Sequence, residues 1–119
     1  MKNYKELKVW QNGMEIVVEV YQLTALLPKD EVYGLRSQIT RAAVSIPSNI
    51  AEGSSRDSNK DYRRFLELAL GSSFELETQV LILERINLIS GDKLQKVVAL
   101  LKEEQMMLQG FIKKIAAAT

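Results

Sequence analysis

RAAVSIPSNIAEG, the stretch from Arg41 to Gly53, decides the fold. Placed at 100° per residue with the segment before it, Val32, Leu35, Ile39, Ala42, Ile46, Ile50 and Gly53 fall on one stripe. Gln38, Arg41, Ser45, Ser48, Asn49 and Glu52 gather on the opposite face. The pattern is that of an amphipathic helix with its apolar stripe in a core. Pro47 lies inside it, removing a backbone hydrogen bond and crowding the preceding turn at a cost of about 3 kcal/mol, so helix 2 is expected to be kinked near Pro47. Either the kink aims Ser48, Asn49 and Glu52 at a partner, or the helix bends or splits to follow its neighbours. The second is the commoner use of such a proline.

Outward from this segment, strand alternation and hairpin turns are missing and long helical stripes replace them. Helix 1 is expected from about Glu6 to Leu26, stopped by Pro28, and helix 2 from near Asp30 to Gly53, with Gly53 as a positive-φ cap. A loop from Ser54 to Asp57 leads to helix 3, which opens at Ser58 with Asp61 at capping-box spacing and continues to about Asn87. Ser90 then caps helix 4, whose stripe is Leu94, Val97, Leu101, Leu108, Phe111 and Ile115. Glu104 occupies the remaining heptad position. It pairs with a core arginine, coordinates an ion, or marks where the stripe meets solvent, and the last is the ordinary case. The 119 residues thus make one all-α domain, an antiparallel up-and-down four-helix bundle with helices about 30 Å long.

Two helices carry more apolar surface than a bundle core needs. Helix 1 has Leu7, Trp10, Met14, Val17 and Tyr21 on one stripe and Val9, Ile16, Val20, Leu23 and Leu27 on another, leaving Lys8, Gln11, Asn12, Glu15, Glu19 and Gln22 for water. Helix 3 has Tyr62, Leu66, Ala69, Ser73, Leu76, Val80 and Leu83 on one side, with Leu70, Phe74 and Leu81 on another. The surplus points to broad contacts within the bundle or to self-association, with Met106 and Met107 as further interface candidates. Gly13, Gly34, Gly71 and Gly110 stand one per helix, and close backbone approach is expected where Gly71 and Ser72 face Ala42 and Ala43.

Composition narrows the chemistry. The chain has no cysteine and no histidine, so thiolate nucleophiles, disulfides, cysteine zinc sites and the commonest general base are all missing. Glu67, Glu75, Glu77 and Glu84 lack the histidines of carboxylate-bridged metal bundles, and a salt bridge from Arg36 or Arg41 to Glu75 is the expected use of that carboxylate. No phosphate loop or nucleophile elbow occurs, so no catalytic residue, cofactor or metal is assigned and the protein is expected not to be an enzyme. Neither a signal peptide nor a membrane-spanning run is evident, which makes the cytoplasm the expected location.

The net charge is only +1, from 16 basic and 15 acidic residues, but up-and-down connectivity separates it. One end collects Lys2, Lys5, Lys8, Arg56, Lys60, Arg63, Arg64, Lys113 and Lys114 against Glu6, Glu52, Asp57 and Asp61. Subunits presenting such ends together would attract a phosphate backbone, although charged loops also serve solubility. With Tyr4 and Tyr62 the sole aromatic residues nearby, sequence-specific stacking on bases is not expected.

YKELKVWQ (Tyr4 to Gln11), RAAVSIPSNIAEG and FLELALGSSFELETQ (Phe65 to Gln79) resemble, in order and spacing, the four-helix-bundle family encoded in intervening sequences of bacterial 23S ribosomal RNA. The resemblance implies a small cytoplasmic bacterial protein that assembles as a homopentameric ring. The same fold is similar to the accessory protein of diversity-generating retroelements, a basic ring associated with nucleic acid. The charge of +1 is lower than a dedicated nucleic-acid ring would carry. The family supplies no catalytic residue to transfer. Two functions are therefore expected of the bundle: RNA binding without base specificity through Arg56, Lys60, Arg63 and Arg64, or protein docking on Arg41, Ser45, Asn49 and Glu52.

Overall fold

Four helices account for nearly all of the computed structural model, which describes residues 3–31 and 34–118. They are α1 (Lys8–Thr24), α2 (Leu35–Ser54), α3 (Asn59–Arg85) and α4 (Asp92–Ala117), preceded by a 3-10 turn at Tyr4–Glu6, with another at Lys29–Glu31. Each helix packs on its neighbours in sequence, and α1 against α4 closes the bundle. Lys2 and Val32 lie outside the described residues.

Cross-helix pairs set every direction. Asn12 meets Leu100 and Glu104 while Glu19 meets Lys96, so α1 and α4 are antiparallel. Ser45 bonds Ser72 while Gly53 lies against Tyr62 and Phe65, which makes α2 and α3 antiparallel. Tyr62 against Phe111 and Glu84 against Gln95 do the same for α3 and α4. The result is the expected up-and-down bundle, elongated at 46 × 23 × 20 Å. The helices are unequal, at 17 and 20 residues for α1 and α2 and 27 and 26 for α3 and α4, or about 26 to 40 Å at 1.5 Å per residue.

The core follows the stripes read from sequence. Val9, Ile16, Val20, Leu23 and Leu27 from α1 and its C-terminal turn meet Ile39, Ala42, Ile46 and Ile50 from α2. The stripe of α3 from Tyr62 to Leu83 and that of α4 from Leu94 to Ile115 complete it. The helix 4 stripe differs at one residue, because Glu104 is fully buried and does not mark the solvent edge. Asn12, expected in water, is half-buried and bonded to it at 3.0 Å. Buried polar groups seek partners, and the Asn12 amide and Glu104 Oε1 find each other.

Several boundaries shift for local reasons. Helix 2 begins at Leu35, after the separate turn at Lys29–Glu31, and Arg36 ties it to α1 by donating from Nη2 to the Leu27 carbonyl at 3.0 Å. It runs unsplit through the buried Pro47, whose turn is reinforced where Asn49 Nδ2 donates to the Ser45 carbonyl at 2.8 Å. Gly53 is helical and has no positive φ; a Cβ there would lie 2.8 Å from Phe65 Cβ and 3.1 Å from Tyr62 Cδ1. Its glycine character serves close approach of α2 to α3. The expected approach at Gly71 is not made, because a Cβ there meets nothing within 4 Å.

Helix 3 starts as read, with the Ser58 hydroxyl accepting from the Asp61 amide at 3.1 Å. It ends at Arg85 in a Schellman arrangement: Asn87 is at φ 61°, its amide donates to Glu84 at 3.1 Å, and that of Leu88 donates to Leu83 at 3.0 Å. Gly91 at φ 96°, and not Ser90, precedes α4, and no side chain caps that helix. No Arg36 or Arg41 bridge to Glu75 forms among the described residues; Arg36 is committed to Leu27, and Glu75 accepts from Gln79 at 3.3 Å.

Gly53→Ala is expected to destabilise the bundle by about 1–3 kcal/mol through overpacking against Phe65. Gly110→Ala, in open space within α4, is expected to stabilise it by up to about 1 kcal/mol. Urea denaturation of the two variants checks this reversal of sign.

Candidate functional site

The N-terminus of α3 is the centre of the basic end. Ser58 fixes where the helix begins, which sets Lys60 and Arg64 one turn apart on one face and Arg63 beside them. Basic residues near a helix N-terminus reinforce the positive end of its dipole and do not help the helix itself. Their combined field attracts anions.

Aromatic packing brings the remaining cations to the same end. Tyr62 of α3 meets Phe111 of α4 edge-on at 5.5 Å, placing Lys113 and Lys114 beside the α2–α3 connection. Tyr4 meets Trp10 at 5.4 Å, and the first 3-10 turn packs on α2, which brings Lys5 and Lys8. Among the described residues, eight of the nine basic side chains expected here are thus collected with Glu6, Glu52, Asp57 and Asp61.

Three of the four proposed RNA contacts are positioned by other side chains. The Arg56 and Arg64 guanidinium groups, one from the α2–α3 connection and one from α3, lie over the Phe65 ring at 4.7 and 4.6 Å. Phe65 itself is 6% exposed, so it acts as a platform for cations and not for bases. Arg56 also pairs with Glu52 at 3.7 Å and Arg63 with Glu67 at 4.0 Å, both on the surface. Lys60 is exposed. Tyr62 is 1% exposed and burial pushes its hydroxyl pKa up, so it cannot stack on a base; Tyr4 is half-buried against Trp10.

The second candidate set does not form one free face. Ser45 bonds Ser72 across the α2–α3 contact, Asn49 bonds the Ser45 carbonyl, and Glu52 joins Arg56 of the basic end. Arg41 alone remains exposed with no hydrogen bond or ion pair among the described residues, beside Ser37, Gln38 and Glu75 in a cavity of about 210 Å³.

One polar centre was flagged in the helix 4 stripe but expected at its solvent edge, and its partner Asn12 was expected in water. Glu104 Oε1 accepts from Asn12 Nδ2 at 3.0 Å, and the same amide reaches the Leu100 carbonyl at 3.1 Å. Burial pushes the Glu104 carboxyl up to about 7, with the Asn12 bond pulling it down and Glu103 pushing it up. Its signal was the polar residue in an otherwise apolar heptad. Among the described residues no group of three or more acidic, histidine or cysteine side chains could hold a metal, and no helix is long and apolar enough to cross a membrane.

The family model described as 23S rRNA-intervening sequence protein matches residues 5–110. A solved structure of a protein with unknown function from the S23 ribosomal protein family of Bacteroides thetaiotaomicron VPI-5482 is similar, at 25% identity and a TM-score of 0.82. The similarity covers 88% of this chain and 98% of that one. No curated protein matches.

A double-mutant cycle with Arg64→Met and Phe65→Leu is expected to give a coupling energy of about 0.5–1 kcal/mol from cation–π contact. Additive losses in urea denaturation would show that the ring does not hold the guanidinium.

Proposed function

The chain belongs to the 23S rRNA-intervening sequence protein family, and from that premise we propose a non-enzymatic bundle that assembles with its own copies and binds RNA phosphates at its basic end. The observation that carries the reading is a pair of apolar faces left outside the core. Met14, Val18 and Tyr21 of α1 are 41–54% exposed, and Phe74, Leu81 and Ile82 of α3 are 39–44% exposed. These helices occupy diagonal corners, since each packs on α2 and α4.

Two different sticky faces on opposite sides of one subunit favour head-to-tail contacts, which close into a ring when the rotation allows. The family resemblance implies five copies. Both faces run along the bundle axis, so a ring built from them turns every basic end to the same side. Fields that are modest in one chain then add, and a phosphate backbone is the matching partner. The absence of an exposed aromatic platform among the described residues of this end supports binding without base specificity. The bacterial cytoplasm is the proposed setting.

Docking of a protein on Arg41, Ser45, Asn49 and Glu52 is the weaker reading, because three of those four side chains are engaged within the chain. Light scattering at micromolar concentration is expected to give a multiple of the 13.5 kDa chain mass, and a single-chain mass contradicts assembly. A structured RNA of mixed sequence is expected to bind with affinity falling on the order of a hundredfold between low and physiological salt. The combined Lys60→Glu, Arg63→Glu, Arg64→Glu variant is expected to abolish that binding; unchanged binding would remove the site.

A further inference from the structure

The seam between α1 and α4 contains an ionisable group that the basic end does not use. Glu104 is fully buried on the α4 stripe between Leu101 and Leu108. Asn12 occupies its Oε1, while Oε2 has no hydrogen-bond partner among the described residues. That free oxygen lies beside Gly13: a Cβ there would be 3.2 Å from Oε2, 3.4 Å from Ile46 Cγ2 and 3.6 Å from Pro47 Cβ. The missing side chain of Gly13 therefore makes room for the carboxyl.

No cation compensates the group. On α1, Lys8 and Glu15 flank Asn12 but are exposed; α2 contributes the untitratable Ile46 and Pro47. On α3, Glu77 accepts from Gln105 at 3.2 Å, and on α4 the exposed Glu103 opposes ionisation. A carboxylate in this position would be a buried charge with one donor, whereas the neutral acid carries less desolvation cost.

We propose that Glu104 is a proton-operated latch on the α1–α4 seam, staying inside when neutral and loosening the seam when it ionises, because the cost of a buried charge exceeds what the Asn12 bond returns. The latch belongs to the single chain and does not rest on assembly or RNA binding. Burial is the main cause that raises its carboxyl from 4.5 to about 7. Between those values the folded state keeps a proton that the unfolded chain has released. The associated stability is fully present below the unfolded value and is lost as pH rises through about 7. Because the chain has no histidine or cysteine, neither side chain titrates alongside Glu104 near neutrality.

Urea denaturation of the full chain and Glu104→Gln from about pH 5 to about pH 8 tests the latch. The unfolding equilibrium constant of the unaltered chain is expected to rise on the order of a hundredfold relative to the variant over that range. Carbon-13 NMR of the unaltered chain is expected to show the Glu104 carboxyl titrating near 7 and not near 4.5. Identical pH profiles for the two proteins, or a Glu104 midpoint near the ordinary carboxylate value, would overturn the proposal. The NMR measurement decides the matter even if the variant fails to fold.

Discussion

Close approach at Gly13 is the constraint on which the bundle's arrangement depends. A Cβ there would touch Ile46 and Pro47 at ordinary contact distance and crowd the Glu104 carboxyl at 3.2 Å, so three helices meet at this point with little room to spare. Packed interiors have little slack, and a displaced α1 would carry Asn12 away from Leu100 and Glu104 together. Pro47 fits the same economy: it is buried at the contact and α2 remains one helix, with the Asn49 side chain supporting the turn around it. Gly53 plays the matching part at the basic end, where α2 meets Tyr62 and Phe65.

Filling the core in this way leaves the outer stripes of α1 and α3 exposed. Those surfaces are fixed by the inner ones, because residues a third of a turn from the core stripe cannot reach it. Charge is divided by the same topology. Antiparallel connections put the α2–α3 loop, the start of α1 and the end of α4 together, and Phe65 then gathers two guanidinium groups, one from that loop and one from α3. A nearly neutral chain thereby presents one cationic end, the property that the proposed RNA contact requires.

The four helices were legible because each carries a long stripe whose period does not depend on distant partners. Ser58 was legible for a similar reason, since its bond to Asp61 is local. Gly53 and Ser90 were misassigned because glycine and serine suit several end geometries, and tertiary packing chose among them. Glu104 could not be placed from its own segment: its partner Asn12 is 92 residues away, and a polar residue in a stripe looks the same whether buried or at the edge. The basic end followed from topology, but stacking of Arg56 and Arg64 on Phe65 depends on side-chain conformations that periodicity does not encode. The free polar face expected on α2 was lost to bonds with α3 and with its own backbone.

The central claim is that unlike faces on α1 and α3 join neighbouring subunits and align their basic ends. The chain has no cysteine, so introduced thiols report on that contact alone. Chains carrying Val18→Cys should be mixed with chains carrying Leu81→Cys, allowed to exchange subunits and oxidised mildly. The account predicts a disulfide dimer containing one of each variant, with little cross-linking in either variant alone. Efficient cross-linking of each variant to itself and none between them would contradict it, because like faces would then meet across a two-fold axis in place of the head-to-tail contact.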